Sequence, residues 1–365
     1  MKNKVREIIH AHPFLYALAR LLKNCRNEVF LDRVNRMNQA FHLQNDKFHL
    51  SRKATYYIIQ QNWGNNGFFA IMHCCLLDLC IADSMGFIPY INIQDSLYNV
   101  KGGWNGKDNM YEYYFQSVIA DDVERIRKEE NYTYSNPTIR RAITDSFANK
   151  TTYMFNDNLL RYMASVSKKY IRLRDDLKAD FESEISALLG GKKTLGVHYR
   201  GSDYRIGFKN HPMPLQVEQY FPLIDKAFED GFEQIFLATD DQNVRNQFFS
   251  RYGARLRIYE NVMRTKGSTG VHLQEYDNET EKYMRGREVL LDMITLSSCD
   301  GFLAGNSHVT EFVRIWKYAG DQEFDYINIM SNGLYSECSK QVRQYVKETA
   351  KRKNLDMEGF NKQIR

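Results

Sequence analysis

The chain has 365 residues, of which 43% are hydrophobic and 26% are charged. This composition excludes a disordered or collagen-like chain, and the length predicts two domains, because one core rarely grows beyond about 300 residues. The net charge of +5 is uneven: residues 1–53 hold eleven Lys and Arg against four Asp and Glu, a net +7, and the remainder sums to −2.

The basic N-terminal stretch is predicted to be helical and amphipathic over residues 1–50. Such a helix can lie on an anionic membrane surface. The alternative is a helix packed on its own domain with its basic side in solvent. Residues 14–22 form a short apolar stretch that lacks a cleavage site, so we expect no signal peptide. The sequence shows no uninterrupted run of about 18 apolar residues, so we expect no membrane-spanning helix. We expect a cytoplasmic protein with reduced cysteines. If the N-terminal helix lies on a membrane, we expect the protein to be peripheral on the inner membrane face.

The first half predicts one strand, loop, helix and strand unit followed by a connector. TYYIIQQ at 55–61 is β-branched and aromatic, which is typical of a strand. The further predicted elements are a turn over 62–67, a helix to about 85, a strand over 87–93, a Gly-rich loop over 99–110 and one long helix over 157–189.

The second half alternates short apolar strands with amphipathic helices, which predicts a parallel sheet covered by helices. The strands are predicted at 194–198, 234–239, 254–259, 301–305 and 325–329, and the helices at 215–230, 242–251, 285–298 and 307–319. The predicted domains are an N-terminal domain over 1–175, a Rossmann-like domain over 176–335, and a basic C-terminal helix over 336–365 that can return to the first domain.

Polar residues follow three strands of the second half where each strand ends. They are the segment 198–203, the pair Asp240 and Asp241, and Asn306, Ser307 and His308. Ligands of open parallel sheets bind beyond the carboxyl ends of the strands. We therefore expect these residues to converge at one edge.

Arg200 and Ser307 suggest an anion site. A helix that opens at Ser307 presents free N–H groups and a positive dipole end, and Arg200 can supply a forked cation for a diphosphate. Taken singly, the plainer alternatives are that Ser307 only caps its helix and that Arg200 pairs with Asp203. The occurrence of both at matching strand ends favours the phosphate interpretation.

Asp292 lies on the apolar face of the helix predicted over 285–298. A carboxylate there is costly unless it is paired. It can accept the two adjacent N–H groups of guanine, or it can pair with Arg200, Arg285 or Arg287, and both interpretations stay open. No P-loop and no DxD metal motif occurs, and His73 has no companion at metal-ligand spacing in the sequence.

Four segments in order resemble the motifs of GDP-fucose-dependent fucosyltransferases, in particular the core α1,6-fucosyltransferases and the nodulation-factor fucosyltransferases. HYRGSD at 198–203 is similar to their HxRxxD motif, and NHP at 210–212 with Tyr220 is similar to their next segment. IFLATDD at 235–241 and the segment 285–313 are similar to their second and third motifs.

This resemblance implies an α/β, GT-B-like architecture, in which two Rossmann-like domains face a central cleft, with no metal or other cofactor. It implies that Arg200 binds the donor diphosphate and that His198 and Asp292 contact the guanosine. For Asp292, the resemblance therefore favours the guanine interpretation over an arginine pair. The predicted donor-binding residues are His198, Arg200, Asp240, Asp241, Asp292, Asn306, Ser307 and His308. The predicted catalytic residues are Arg200 and Asp203, with a structural Arg–Asp pair as the alternative for Asp203.

Two positions depart from the family pattern. Many relatives carry a second Arg directly after the first, where this chain has Gly201, so Arg205 or Lys209 would have to supply further charge. The loop 204–209 also lacks the Glu that the α1,6 enzymes place there.

The predicted function is inverting, metal-independent transfer of fucose from GDP-fucose to a hydroxyl of a glycan or lipid-linked oligosaccharide. The context expected is cell-surface polysaccharide or lipopolysaccharide synthesis, with no nucleic-acid partner. The alternatives are transfer of a different GDP-sugar, or an inactive module that binds a nucleotide-sugar or a glycan.

Overall fold

Two parallel β-sheets organise the computed structural model. The residues that it describes are 55–60, 63–64, 66–120, 123–128, 131–135, 156–201, 212–265 and 278–334, with isolated positions elsewhere. The chain divides into two compact units, Met1–Ala54 and Thr55–Arg365, and both sheets belong to the second. The predicted helices over 1–50 and 336–365 lie outside the described residues, isolated positions apart.

The first sheet has three parallel strands in the order β2-β1-β3. The strands are β1 (Tyr56–Ile59), β2 (Ile88–Ile91) and β3 (Tyr132–Tyr134). The helices are α1 (Phe68–Met85), α2 (Tyr111–Tyr114) and α3 (Val123–Lys128). The predicted strand, helix and strand unit and the loop after it are confirmed.

Helix α1 is buried along most of its length. By length and composition it is the one helix among the described residues that could cross a membrane. This corrects the expectation that no such stretch exists. The sequence prediction missed it because His73 and Asp78 interrupt the run of apolar residues. Both side chains have partners inside the protein: Asp78 accepts a hydrogen bond from Tyr57 and pairs with Arg140, and His73 faces Glu311. These contacts are those of a core helix.

The prediction of a single long helix over 157–189 is wrong. The chain forms α4 (Asp157–Tyr170) and α5 (Asp175–Leu189) with an extended segment between them. Leu173 pairs with Phe115 in an antiparallel bridge, and the amide of Gln116 donates to the carbonyl of Arg172 over 2.8 Å. Pairing with a distant segment interrupts the helix without Gly or Pro, which is why its periodicity misled the prediction.

The second sheet has five parallel strands in the order β6-β5-β4-β7-β8. The strands are β4 (Thr194–Tyr199), β5 (Gln234–Thr239), β6 (Leu256–Arg257), β7 (Gly301–Gly305) and β8 (Tyr326–Met330). The helices are α6 (Phe221–Glu229), α7 (Gln242–Tyr252), α8 (Thr280–Ser298) and α9 (His308–Ala319). Two parallel sheets with alternating helices confirm the predicted α/β, GT-B-like fold class.

Three elements of this sheet differ from prediction in extent. Strand β6 is only two residues long because a 3-10 turn, Gly253–Arg255, takes the start of the predicted strand. Helix α8 begins five residues early, at Thr280, and α6 begins at Phe221, where Pro222 fits the first turn. The predicted domain boundary at 175/176 falls between the two sheets, next to the start of α5, and stays a prediction.

Candidate functional site

The carboxyl edge of the second sheet collects the polar residues that follow its strands. Strand β4 lies between β5 and β7, so Arg200, Asp240 and Asn306 leave neighbouring strands. The chain crosses in opposite directions on either side of β4, which makes the edge between β4 and β7 a topological switch point. The predicted convergence at one edge is confirmed for the described residues of these segments, 198–201, 240–241 and 306–308.

Arg200 lies against Asp240 at this edge. Its Nε is 3.7 Å from Oδ2 of Asp240, while Oδ1 of Asp240 accepts a hydrogen bond of 2.9 Å from the amide of Gly201. Asp203, the partner expected in the plainer interpretation, lies outside the described residues. Its role as a catalytic residue stays a prediction. Arg205 and Lys209, predicted only as a further source of positive charge for the diphosphate, also lie outside the described residues.

A small recess, partly open to solvent, lies between Arg200 and Asn306. Its lining is Arg200, Pro212, Met213, Leu215, Tyr220, Gly305, Asn306, Met330 and Ser331. The hydroxyl of Tyr220 donates to the carbonyl of His198 over 3.2 Å, which fixes the wall next to Arg200.

Ser307 is the N-cap of α9. Its Oγ accepts a hydrogen bond of 3.1 Å from the amide of Thr310, as the capping interpretation expects. The hydroxyl of Thr310 in turn donates to the carbonyl of Gly305 over 2.6 Å. This network fixes the turn between β7 and α9, so the helix N-terminus and its dipole point to the switch-point edge.

His198 is buried at the end of β4, with Nδ1 3.4 Å from the hydroxyl of Thr310. Burial, and after it the charge of Arg200, lowers the pKa of His198 to about 4. The imidazole is therefore neutral near pH 7. It packs against the first turn of α9 from the strand side.

Asp241 caps helix α7 and is almost fully buried. Its Oδ1 accepts a hydrogen bond of 2.8 Å from the amide of Asn243. A Cβ at position 201 would lie 2.8 Å from Oδ2 of Asp241, which is closer than side chains tolerate. Residue 201 therefore has little room for a side chain.

Asp292 lies half-buried on α8, and no hydrogen bond joins its carboxylate to another described residue. Burial raises the pKa of Asp292 to about 7; the charge of Arg264 opposes this rise, and that of Glu288 adds to it. The expected arginine partners are engaged elsewhere: Arg285 donates to the carbonyls of Val271 and Gln274, and Arg287 pairs with Glu184.

Arg264 is the cation that sequence reasoning missed. Its guanidinium donates to the carbonyl of Tyr259 over 2.6 Å, and its Nε is buried without a hydrogen-bond partner in the described part of the chain. Arg264 follows the strand predicted over 254–259. Arg200 was selected because it follows a strand of the parallel sheet, and the same criterion could have selected Arg264.

Arg264 and Asp240 link Asp292 to Arg200. The charge of Arg264 acts on Asp292, and the next residue, Thr265, donates its amide to the carbonyl of Asp240 over 2.9 Å. Asp240 in turn lies beside Arg200. Helix α8, which carries Asp292, packs on β4 and β5.

His308 occupies the first turn of α9, where its Nδ1 is 3.2 Å from Oε2 of Glu311. The same carboxylate oxygen is 3.2 Å from Nδ1 of His73 on α1. Sequence spacing showed no companion for His73, because the other two residues lie more than 230 positions further along the chain. The donor-binding role of His308 stays a prediction.

Comparison with known proteins gives neighbours in structure but no family model that matches. A NodZ α-1,6-fucosyltransferase soaked with GDP-fucose is 15% identical, with a TM-score of 0.45 over 72% of this chain and 93% of that one. The fucosyltransferase NodZ from Bradyrhizobium is 16% identical, with a TM-score of 0.45 over 72% and 92%. POFUT1 in complex with GDP is 10% identical, with a TM-score of 0.43 over 76% and 98%. The NodZ proteins are fucosyltransferases, the class of enzyme that the sequence motifs resemble.

Proposed function

We propose that the protein transfers fucose from GDP-fucose to a glycan hydroxyl, with inversion at the anomeric carbon and without a metal ion at the diphosphate. The observation that carries this proposal is the adjacency of β4 and β7. It brings Arg200 and Asn306, the residue directly before the N-cap of α9, to one recess at the switch point, where parallel sheets bind their ligands.

The diphosphate is assigned to Arg200 and the first turn of α9. A guanidinium donates in a fork that matches phosphate oxygens, and a helix N-terminus favours an anion. Asp240 holds the guanidinium beside the recess, and the cap at Ser307 fixes the direction of the helix. Asn306 lines the same recess.

The guanine is assigned to Asp292. A carboxylate can accept the two adjacent N–H groups of guanine in parallel, and no hydrogen bond from the described residues competes for Asp292. Arg264 keeps part of the population ionised by opposing the effect of burial on the pKa. Only the ionised form can accept both hydrogen bonds, so nucleotide binding should depend on this group.

Transfer then requires one displacement. The bond between the anomeric carbon and the diphosphate oxygen breaks as the acceptor oxygen attacks the opposite face. Arg200 and the α9 N-terminus stabilise the negative charge that grows on GDP. The acceptor proton passes to a carboxylate, for which Asp203 is the candidate.

The acceptor proposed is a glycan or lipid-linked oligosaccharide of a cell-surface polysaccharide or lipopolysaccharide, used on the cytoplasmic side. The net +7 of residues 1–53 supports contact with an anionic membrane. The full chain with Lys23→Glu and Arg26→Glu tests this contact by co-sedimentation with anionic vesicles. Binding equal to that of the unmodified chain would contradict it.

Arg200→Ala tests the proposed transfer with GDP-fucose and a panel of glycan acceptors, scored by GDP release and product mass. We expect a loss of about 100-fold or more, the effect typical of removing a group that stabilises transition-state charge. Arg251→Ala is the control, since Arg251 is an exposed arginine that pairs with Asp225. Near-normal transfer by Arg200→Ala would contradict the proposal. A larger thermal shift with GDP-mannose than with GDP-fucose would point to a different GDP-sugar.

A further inference from the structure

Three side chains from two distant helices meet at one point. His73 belongs to α1, and His308 and Glu311 belong to the first turn of α9. The nearest ligand atoms of the three all lie within 4.8 Å of one another. His73 and Glu311 are buried, whereas the side chain of His308 is 38% exposed.

The two distances to Glu311 are close to those between the ligands of a transition metal. Each imidazole Nδ1 is 3.2 Å from Oε2 of Glu311, and the two rings lie 4.3 Å apart between centroids. A tetrahedral Zn²⁺ with ligand bonds of about 2.0–2.1 Å separates its ligand atoms by about 3.3 Å. Two imidazoles and one carboxylate are a ligand set that zinc uses when one position stays open to solvent.

The cluster brings one carboxylate to two imidazoles. Oε2 of the buried Glu311 is 3.2 Å from Nδ1 of His73 and 3.2 Å from Nδ1 of His308. A metal ion here would be bound by one anionic and two neutral ligands, while the positive charge of the nearby Arg140 is paired with Asp78.

We propose that His73, His308 and Glu311 bind one zinc-class divalent ion, which ties α1 to the N-terminus of α9. The exposed side of His308 leaves a coordination position for water. Because each Nδ1 donates a lone pair to the metal, the proton of each neutral ring resides on Nε2 in the bound form. The site shares the first turn of α9 with the proposed diphosphate site, but zinc binding can be measured without nucleotide and does not depend on the proposed transfer reaction.

Zinc binding to the full chain tests this proposal without nucleotide. After dialysis against a chelator, calorimetric titration with ZnCl₂ should give one tight equivalent for the wild-type chain. His73→Gln and Glu311→Gln should each weaken that equivalent by about 100-fold or more, the loss expected on removing a ligand rather than a supporting group. His12→Gln, at an exposed histidine, is the matched control and should retain it. Uptake that is equal in wild type and His73→Gln would overturn the proposal.

His308→Gln keeps the test valid if the buried variants do not fold, because this side chain is half-exposed. Circular dichroism without metal should match that of the wild-type chain. Zinc should raise the melting temperature of the wild-type chain, Mg²⁺ should not, and the shift should vanish in His308→Gln. Co²⁺ should give the visible bands of a tetrahedral site in wild type only. An ion cluster without a metal role would give no zinc-dependent shift in either chain.

Discussion

Gly201 and Asp241 are in such close contact that residue 201 has no room for a side chain. A Cβ there would lie 2.8 Å from Oδ2 of Asp241 and 2.9 Å from its Cβ. Asp241 cannot move away easily, because its carboxylate caps α7. Residue 201 is the position at which the sequence has glycine and the motif that it resembles has a second arginine. The packing leaves no room there for an arginine side chain.

Gly201→Ala should lower the free energy of unfolding by about 1–3 kcal/mol, the usual cost of an added atom in a well-packed site. Chemical denaturation measures it. Gly320→Ala is the control, since a Cβ there would meet its nearest neighbour at an ordinary 3.4 Å. Equal stability of Gly201→Ala and the wild-type chain would show that the contact is not restrictive.

Guanosine affinity should depend on pH through Asp292. The pKa of Asp292 is about 7, and only the ionised carboxylate accepts from guanine, so affinity should fall as pH falls below that value. The decline should approach tenfold per pH unit well below about pH 6. Guanosine is the suitable probe because it carries no phosphate that titrates in this range. A flat profile between about pH 5.5 and 8, or an unchanged profile in Asp292→Asn, would contradict the assignment.

Asp292 should also cost the protein stability at neutral pH. Its pKa is raised in the folded state, so between about pH 4 and 7 the folded chain keeps a proton that the unfolded chain has lost. The contribution of this group therefore falls as pH rises through that window. Asp292→Asn should melt higher than wild type at about pH 8 and gain less at about pH 5. A lower melting temperature at about pH 8 would mean that the carboxylate is a structural partner instead.

Arg264 should set the pH at which Asp292 ionises. Its positive charge lowers the pKa of the carboxyl, so Arg264→Met should move the midpoint of guanosine binding upward by about one pH unit. Arg264→Lys keeps the charge and should leave the midpoint near its wild-type value. The same shift in both variants would indicate a change in the loop rather than the loss of a charge.

Local patterns predicted the strands and the sheet edge, and long-range contacts produced what they missed. Strands β4 and β7 are apolar runs that end in polar residues, so both they and the placement of Arg200 followed from the sequence. The break after Tyr170 did not, because it depends on pairing with Phe115. The contact of His73 with Glu311 joins residues far apart in the chain, which spacing rules do not reach.

The proposed function requires one GDP to lie between Arg200 and Asp292. Calorimetric affinities of Arg200→Ala and Asp292→Asn for GDP and for guanosine test this placement. Arg200→Ala should weaken GDP binding by about 10–100-fold and leave guanosine binding unchanged, since it loses only phosphate contacts. Asp292→Asn should weaken both ligands by the same factor. If Arg200→Ala binds GDP as tightly as the wild-type chain does, or Asp292→Asn weakens neither ligand, the two residues do not share a nucleotide.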